Sequence, residues 1–309
     1  MVSTIVPVII NAGAGNPHVD KRVRTLTELF LAGGLQVDIR LASSGEELDT
    51  LMRAAAAQRP RLLVAAGGDG TISTAAAALV DSPTVLGVLP FGTLNHFAKD
   101  LGIPLELEEA VGNIIDGNSI AVDVGEVNGR VFINNSSLGL YPDMVLDRER
   151  QQSRLGRGKF RSLVWASIAA FRRYPFLTVR LDVEGTKRVH VTPLVFVGNN
   201  EYGMAGFNIG ERARIDGGRL SIYIVKKQGR SALVRLSLEA LFGRLRQARD
   251  FEALTATDLV IETRHSRILV ATDGEVQRMK PPLHYRIRPR SLRVIVPQVK
   301  ERKRKGAIS

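Results

Sequence analysis

The chain contains no cysteine. That excludes a disulfide framework and a thiolate metal site, and it accords with a reducing compartment. Aromatic residues make up only 6%, with one tryptophan, and do not interleave with the basic runs, which argues against a stacking platform for single-stranded nucleic acid. No segment reaches the roughly 18 apolar residues of a membrane span. Met1 to Asn11 is too short for a signal peptide and lacks a positive n-region, so it reads as a first strand and the expected location is cytoplasmic. The five histidines are scattered, and no pair has metal-ligand spacing. No Gly-x-x-x-x-Gly-Lys-[Ser/Thr] run is present, which excludes a P-loop NTPase, and no His-Arg-Asp loop is present, which excludes the protein-kinase fold.

What the chain does have is positive charge. Lysine and arginine number 43 against 31 acidic residues, a net charge of +12 over 309 residues. Such a balance favours polyanions: nucleic acid, anionic lipid headgroups or phosphorylated substrates. The length suits two domains or one large one.

The N-terminal part alternates apolar strands with helices. Val6 to Ile10 is an apolar run, followed by a helical pattern through Val23, Leu26, Leu29 and Phe30 that ends at Gly33-Gly34. Val37, Ile39 and Leu41 alternate as a strand, Glu46 to Gln58 is helical, Arg61 to Ala66 is a strand, Ile72 to Val80 a helix and Thr84 to Leu89 a strand. This is the rhythm of a parallel α/β sheet. From about Gly125 short strands dominate: Val127 to Asn134, Leu177 to Val183, Val189 to Val197, Leu220 to Val225, Asp258 to Thr263 and Ile268 to Thr272. Helical stretches at Leu155 to Phe171 and Ser231 to Phe242 interrupt what reads as a β-sandwich. The expected division is an α/β domain over 1–125, a β-sandwich domain over 126–284, and a basic tail over 300–309. The segment 285–299, with a strand at Ser291 to Val296, is open to returning to the first domain.

The strongest local signal is Gly67-Gly68-Asp69-Gly70-Thr71, set between an apolar strand and a helix. Glycines there let the backbone approach a ligand closely, and the following helix N-terminus offers free N–H groups to phosphate. A carboxylate beside an anion site makes sense if Mg²⁺ bridges the two, or if Asp69 accepts a proton from an attacking hydroxyl. The bland reading is a strand–helix turn with an aspartate cap. Pro90-Phe91-Gly92-Thr93-Leu94-Asn95 repeats the logic one unit later, and Asn11-Ala12-Gly13-Ala14-Gly15 precedes it. All three follow strands, so all three fall on the carboxyl rim where open parallel sheets bind ligands.

These residues carry a resemblance. Gly-Gly-Asp-Gly-Thr, followed by Leu-Gly-x-x-Pro-x-Gly-Thr-x-Asn-x-Phe-Ala over Leu86 to Ala98, resembles the diacylglycerol kinase catalytic domain family, which includes bacterial soluble lipid kinases, sphingosine kinases and, more distantly, NAD kinases. Asn134 to Gly139 and Asp273-Gly274-Glu275 resemble its second-domain motifs, and the likeness covers nearly the whole chain. It implies an NAD-kinase-like parallel α/β nucleotide domain followed by a β-sandwich, with ATP in the cleft and Mg²⁺ as its metal. On this resemblance Asn11, Ala12, Gly13, Ala14, Gly15, Gly67, Gly68, Asp69, Gly70, Thr71, Thr93 and Asn95 hold nucleotide. Asp69 and Asp123 share a Mg²⁺–water network, and Asp273 and Glu275 reach the reacting centre from the second domain. Either Asp69 or Glu275 accepts the substrate proton, and Glu275 is the favoured one.

There are departures. Ala12 stands where the family's first loop usually has proline, and Leu41, near Ser43 and Ser44, stands where bacterial members often place a nucleotide-contacting threonine. Asp216-Gly217-Gly218-Arg219-Leu220 lacks one carboxylate of the family's structural metal motif, so no metal is assigned there.

The expected activity is ATP-dependent phosphorylation of a lipid hydroxyl, diacylglycerol first, at an anionic membrane surface reached peripherally, with no nucleic-acid partner and a homodimer left open. The basic amphipathic stretch Arg154 to Arg173 and the tail Lys300 to Lys305 suit such a surface, and equally suit solvated faces. His96 lies in the second glycine loop, as a nucleotide contact or a plain loop residue. Two other readings stay open: a kinase of a soluble alcohol such as NAD, and a non-catalytic basic binding module that keeps the fold.

Overall fold

A computed structural model describes residues 5–13, 19–139, 176–202, 212, 214–225 and 251–298. The helices expected at 155–171 and 231–242, the basic stretch 154–173, the tail, and Ala14 and Gly15 lie outside the described residues.

The N-terminal part runs β1 (Val6–Asn11), α1 (Val19–Ala32), β2 (Val37–Ala42), α2 (Gly45–Ala57), β3 (Leu62–Gly67), α3 (Asp69–Leu79), β4 (Val85–Pro90), α4 (His96–Asp100) and α5 (Leu107–Asp116). Strands β1, β3 and β4 pair in parallel, with β2 outside β1. Val8, Ile9, Ile10, Leu63 to Ala66, Leu86, Val88 and Leu89 are all buried. Such strands bury both faces, and two separate clusters cover them: Leu48, Met52, Ile72 and Leu79 on one side, and Leu26, Phe30, Val111 and Ile114 on the other. Helix α1 stops where the sequence says it must. The Leu35 N–H bonds back to the Phe30 carbonyl and that of Gly34 to Leu31, with Gly34 at φ +79°, the geometry of a Schellman cap. Helix α2 is capped by Ser44, whose hydroxyl accepts from the Glu47 N–H, while the Glu47 carboxylate accepts from the Ser43 N–H. Ser43 and Ser44 are thus occupied in starting a helix.

The remaining elements are β5 (Ser119–Val127), β6 (Arg130–Phe132), β7 (Asn135–Gly139), β8 (Leu177–Val183), β9 (Thr186–Thr192), β10 (Leu194–Asn199), β11 (Leu220–Val225), β12 (Phe251–Ala256), β13 (Asp258–Thr263), β14 (Ile268–Thr272), β15 (Glu275–Met279) and β16 (Leu283–Ile295). The ten-stranded sheet has the path β2-β1-β3-β4-β16-β13-β8-β9, with β5 paired to β16 and β6 to β5. The other sheet is six-stranded, β12-β11-β10-β7-β14-β15. Between the sheets lies an apolar core that includes Phe132, Leu138, Leu181, Val197, Ile222, Ile261 and Tyr285. The chain is therefore a largely parallel α/β sheet followed by a β-sandwich, and one sheet runs through both.

Strand β16 makes this continuity. Its last residues pair in parallel with β4 and its first with β13, while β5 runs antiparallel along nearly its whole length. A bulge between Arg288 and Leu292, with Arg290 at φ +51°, separates the part of the strand that pairs with β13 from the part that pairs with β4. Three sequence expectations are corrected in detail. The strand expected over 127–134 is a hairpin, because Asn128 and Gly129 both take positive φ in a two-residue turn. The strand expected over 189–197 is two strands in different sheets, split at Pro193, which has no N–H to give a ladder. Helix α3 begins at Asp69, inside the glycine run.

Candidate active site

The three loops on the carboxyl rim interlock through side chains. Asn11, at the end of β1, donates from Nδ2 to Thr71 Oγ1 at 3.1 Å and accepts from the Gly13 N–H at 3.2 Å. Phe91 N–H bonds the Gly67 carbonyl at 2.9 Å, which locks the second loop to the third. At the crossing Gly68 and Gly92 pack backbone to backbone. A Cβ on Gly92 would fall 2.5 Å from the Gly68 Cα, so no side chain fits there. Asn95 is buried, takes φ +51°, and spans its own loop by accepting from the Gly92 N–H and donating to the Gly92 and Pro90 carbonyls. Its side chain shapes the loop from inside. Thr93 and His96 are exposed beside it.

Asp69 is the first residue of α3, and Gly68, its N-cap, has no side chain to satisfy the helix N-terminus. One Asp69 oxygen accepts from the Phe97 N–H at 3.3 Å, which ties it to α4. Among the described residues its other oxygen has no hydrogen bond. The cradle therefore combines a free helix N-terminus, which suits phosphate, with one carboxylate at its lip.

From the sandwich, the β14–β15 hairpin comes down onto α3. Its turn is Asp273-Gly274, at φ +48° and +87°, the two-residue type that favours Asp-Gly. The Asp273 backbone forms this turn, while its carboxylate points inward and accepts four hydrogen bonds. Three come from the backbone N–H groups of Ile133, Asn134 and Asn135, and one from Ser73 Oγ on α3 at 2.7 Å. Burial raises its pKa, against the opposing pull of the four donors. Glu275, one residue past the turn, has a side chain that is 59% exposed and ion-paired to Arg130. A Cβ on Gly70 would lie 3.7 Å from Glu275 Oε1. The structure thus brings Glu275 to the glycine-rich start of α3.

Asp123 sits differently. It is buried on β5, and its two oxygens accept from the backbone N–H groups of Gly218 and Arg290 at 2.6 and 2.8 Å. No described hydrogen bond joins it to Asp69, and among the described residues no group of three or more His, Cys, Asp or Glu converges to hold a metal. The Asp69 oxygen without a partner could hold Mg²⁺ together with phosphate oxygens and water, the usual arrangement for that ion. Asp123 anchors the β16 bulge to the segment preceding β11.

Between α2 and α3 on one side and the β5–β6 turn, β15 and β16 on the other runs a groove of about 940 Å³. Asn11, Gly68, Gly70, Thr71 and Glu275 lie along it, and Gly45, Leu48, Thr74 and Ala77 extend it down the helices.

Two important arginines were not read from the sequence. Arg130 follows the Asn128-Gly129 turn and lines the groove. The Asn-Gly dipeptide between apolar runs was the signal that could have found its hairpin. Arg212 has a fully buried side chain, ion-paired to Asp100 of α4 at 2.7 Å, with further bonds to the Ile133 and Asn199 carbonyls and to Asn134 Oδ1. Nothing in its local sequence marks it.

The chain was compared with known proteins. Residues 6–127 match the model of the diacylglycerol kinase catalytic domain, and residues 141–296 match that of the YegS C-terminal NAD kinase beta sandwich-like domain. The diacylglycerol kinase of Bacillus subtilis (strain 168) is 26% identical over 241 residues, covering 76% of this chain and 78% of that one. A Yersinia pestis (strain Pestoides F) protein named "Probable lipid kinase YegS-like" is 33% identical over 130 residues, covering 41% of this chain and 43% of that one. A crystal structure of a diacylglycerol kinase from Bacillus anthracis str. Sterne superposes with TM-score 0.68 at 22% identity, covering 96% of this chain and 98% of that one, which establishes the shared fold. The second of the two matched domain models spans half of the chain, so the chain belongs to the family of the YegS C-terminal NAD kinase beta sandwich-like domain, preceded by a segment that matches the diacylglycerol kinase catalytic domain.

Proposed function

We propose that the protein transfers the γ-phosphoryl group of ATP to the hydroxyl of a lipid alcohol, with diacylglycerol the first candidate. The observation that carries this reading is the approach of Glu275 to Gly70: a carboxylate from the sandwich meets a glycine-rich helix N-terminus from the α/β sheet. Phosphoryl transfer asks mainly for positioning and charge neutralisation. The N–H groups opening α3 and the Gly68–Gly92 crossing receive the phosphates. Asp69 would hold Mg²⁺, which when bound supplies neutralisation of phosphate charge. Glu275 takes the proton of the attacking hydroxyl. Asp273, with four donors on its carboxylate, keeps the hairpin in place and takes no part in proton transfer. The groove down α2 and α3 accommodates the nucleoside.

The net charge of +12 supports docking on anionic lipid, where each basic residue near the surface contributes about 1 kcal/mol. Among the described residues no helix is long and apolar enough to cross a membrane.

The decisive experiment incubates the protein with labelled ATP and, separately, diacylglycerol, phosphatidylglycerol, a sphingoid base, a polyprenol and NAD, then identifies products by mass spectrometry. A phosphorylated lipid is the expected product. Phosphorylation of NAD alone, or ATP left intact in every mixture, refutes the reading. Sedimentation with anionic vesicles is expected to fall as salt rises, since screening shortens the reach of surface charges. Binding unmoved by salt removes the electrostatic docking.

A further inference from the structure

One side chain in the groove is accounted for neither by the phosphate cradle nor by the proton acceptor. Arg130 opens β6 just after the Asn128-Gly129 turn, and its guanidinium spreads over both strands of the hairpin that carries Glu275. Nε donates to Thr272 Oγ1 at 2.7 Å, Nη1 to Gln277 Oε1 at 2.9 Å, and Nη2 to Glu275 Oε2. Thr272 lies on β14 opposite Glu275, and Gln277 lies on β15 opposite Val270. A guanidinium has five N–H donors in a rigid plane. Three are used here, and the side chain is about one-third exposed on the groove wall, at 34%.

The two oxygens of Glu275 are therefore not equivalent. Oε2 is held by Arg130, and Oε1 is the one that faces Gly70. A flexible glutamate at 59% exposure would otherwise sample several rotamers.

We propose that Arg130 is a positioning residue for phosphoryl transfer: it clamps Oε2 of Glu275 so that Oε1 alone is presented to the acceptor hydroxyl beside Gly70. This rests on the reading of the protein as a lipid kinase. In the step concerned, the lipid hydroxyl gives its proton to Oε1 and its oxygen bonds to the γ-phosphorus. The bond from that phosphorus to the β–γ bridging oxygen breaks, and ADP leaves with the electron pair. A lysine at this position has a single charged centre and no planar fork. It reaches Glu275 without bracing Thr272 and Gln277 at the same time.

The test is a double-mutant cycle on turnover with the lipid that wild-type protein phosphorylates. Arg130→Gln is expected to lower kcat about 10²-fold, the scale of a misplaced catalytic group, with the KM for ATP changed less than about threefold. Arg130→Lys is expected to fall between. In the Glu275→Gln background the same substitutions are expected to change kcat by less than about threefold, because a clamp without its carboxylate has nothing to orient. Methylguanidinium at millimolar concentration is expected to restore part of the turnover of Arg130→Ala and none of that of Glu275→Gln. If Arg130→Gln does not fold, as judged by its urea transition, Arg130→Lys carries the same cycle. Equal losses of kcat in both backgrounds would show a brace for the fold alone and overturn the proposal. So would normal turnover in an active protein whose Arg130 is replaced. A wild-type protein that phosphorylates no lipid overturns the parent reading, and this one with it.

Discussion

Ser73 on α3 and Asp273 on the β14–β15 turn are 200 positions apart in sequence and joined by a 2.7 Å hydrogen bond. That bond seats the sandwich hairpin on α3, the helix that opens at the glycine run. Ser73→Ala removes one donor of four and is expected to cost about 1 kcal/mol. Asp273→Ala leaves three backbone N–H groups without their acceptor and is expected to cost about 2–4 kcal/mol. Urea unfolding read by tryptophan fluorescence and circular dichroism measures both. Equal, small effects would mean that the backbone donors find water.

Arg212 and Asp100 form a second tie between the two parts, and a drier one. Their side chains are 0% and 4% exposed, and the guanidinium also stacks on the Tyr202 ring at 5.7 Å. Removing one partner of a buried pair strands the other charge. Arg212→Met and Asp100→Leu are each expected to destabilise by about 3–5 kcal/mol, and the double variant by clearly less than their sum. Additive losses in the denaturation midpoints would argue against the pair acting as a unit.

The roles of the two site carboxylates separate in one titration. On the proposed mechanism Glu275→Gln keeps the shape and loses the base, so turnover is expected to drop by roughly 10²–10⁴-fold with ATP affinity nearly unchanged. Asp69→Asn is expected to lose turnover and also shift the Mg²⁺ dependence. Mg²⁺ is varied at saturating lipid for each variant, with ATP binding followed by calorimetry. Near-normal turnover in Glu275→Gln beside a dead Asp69→Asn with unaltered Mg²⁺ dependence would reverse the assignment.

Two tyrosines predict alkaline lability. Burial pushes Tyr202 up to about 12 and raises Tyr285 further, against the pull of its bond with Ser136. Above the unfolded value near 10 the denatured chain loses these protons while the folded chain keeps them. Stability therefore falls as pH rises through 10 toward 12, by up to about 1.4 kcal/mol per pH unit for each tyrosine. Urea midpoints from pH 9 to 12 should show the slope, and Tyr285→Phe should flatten it. A flat profile in the native sequence would place these phenols in contact with solvent.

The α/β half was legible because its strands are apolar on both faces and its loops use glycine where backbones cross, as at Gly68 and Gly92. Glycine, asparagine and aspartate mark backbone conformation directly, so the rim loops and the Asp273-Gly274 turn announce themselves. What such a pattern does not reveal is which way a carboxylate points. Asp123, Asp273 and Glu275 look alike in the motif reading, yet Asp123 and Asp273 turn inward to backbone N–H groups and Glu275 turns outward to Arg130. Arg212 was invisible for the same reason. Its partners, Asp100, Ile133 and Asn199, are assembled from three distant stretches by the fold alone.

Strand β16 is the only strand described as pairing with the outer edge of β4, and β5 has no described partner besides it and β6. During synthesis the first 132 residues precede β16, so the outer edge of β4 is open and β5 has β6 alone as a partner. The long pairing with β16 waits until residue 295 has left the exit tunnel. Topologies that close on a strand from the far end of the chain pay loop-closure entropy late and fold slowly, and an uncovered apolar strand edge invites pairing with other chains in the interval. A chain interrupted before β16 would lose the seam between its two halves as well as its last strand, so expression of the α/β half alone would favour aggregates over a folded domain.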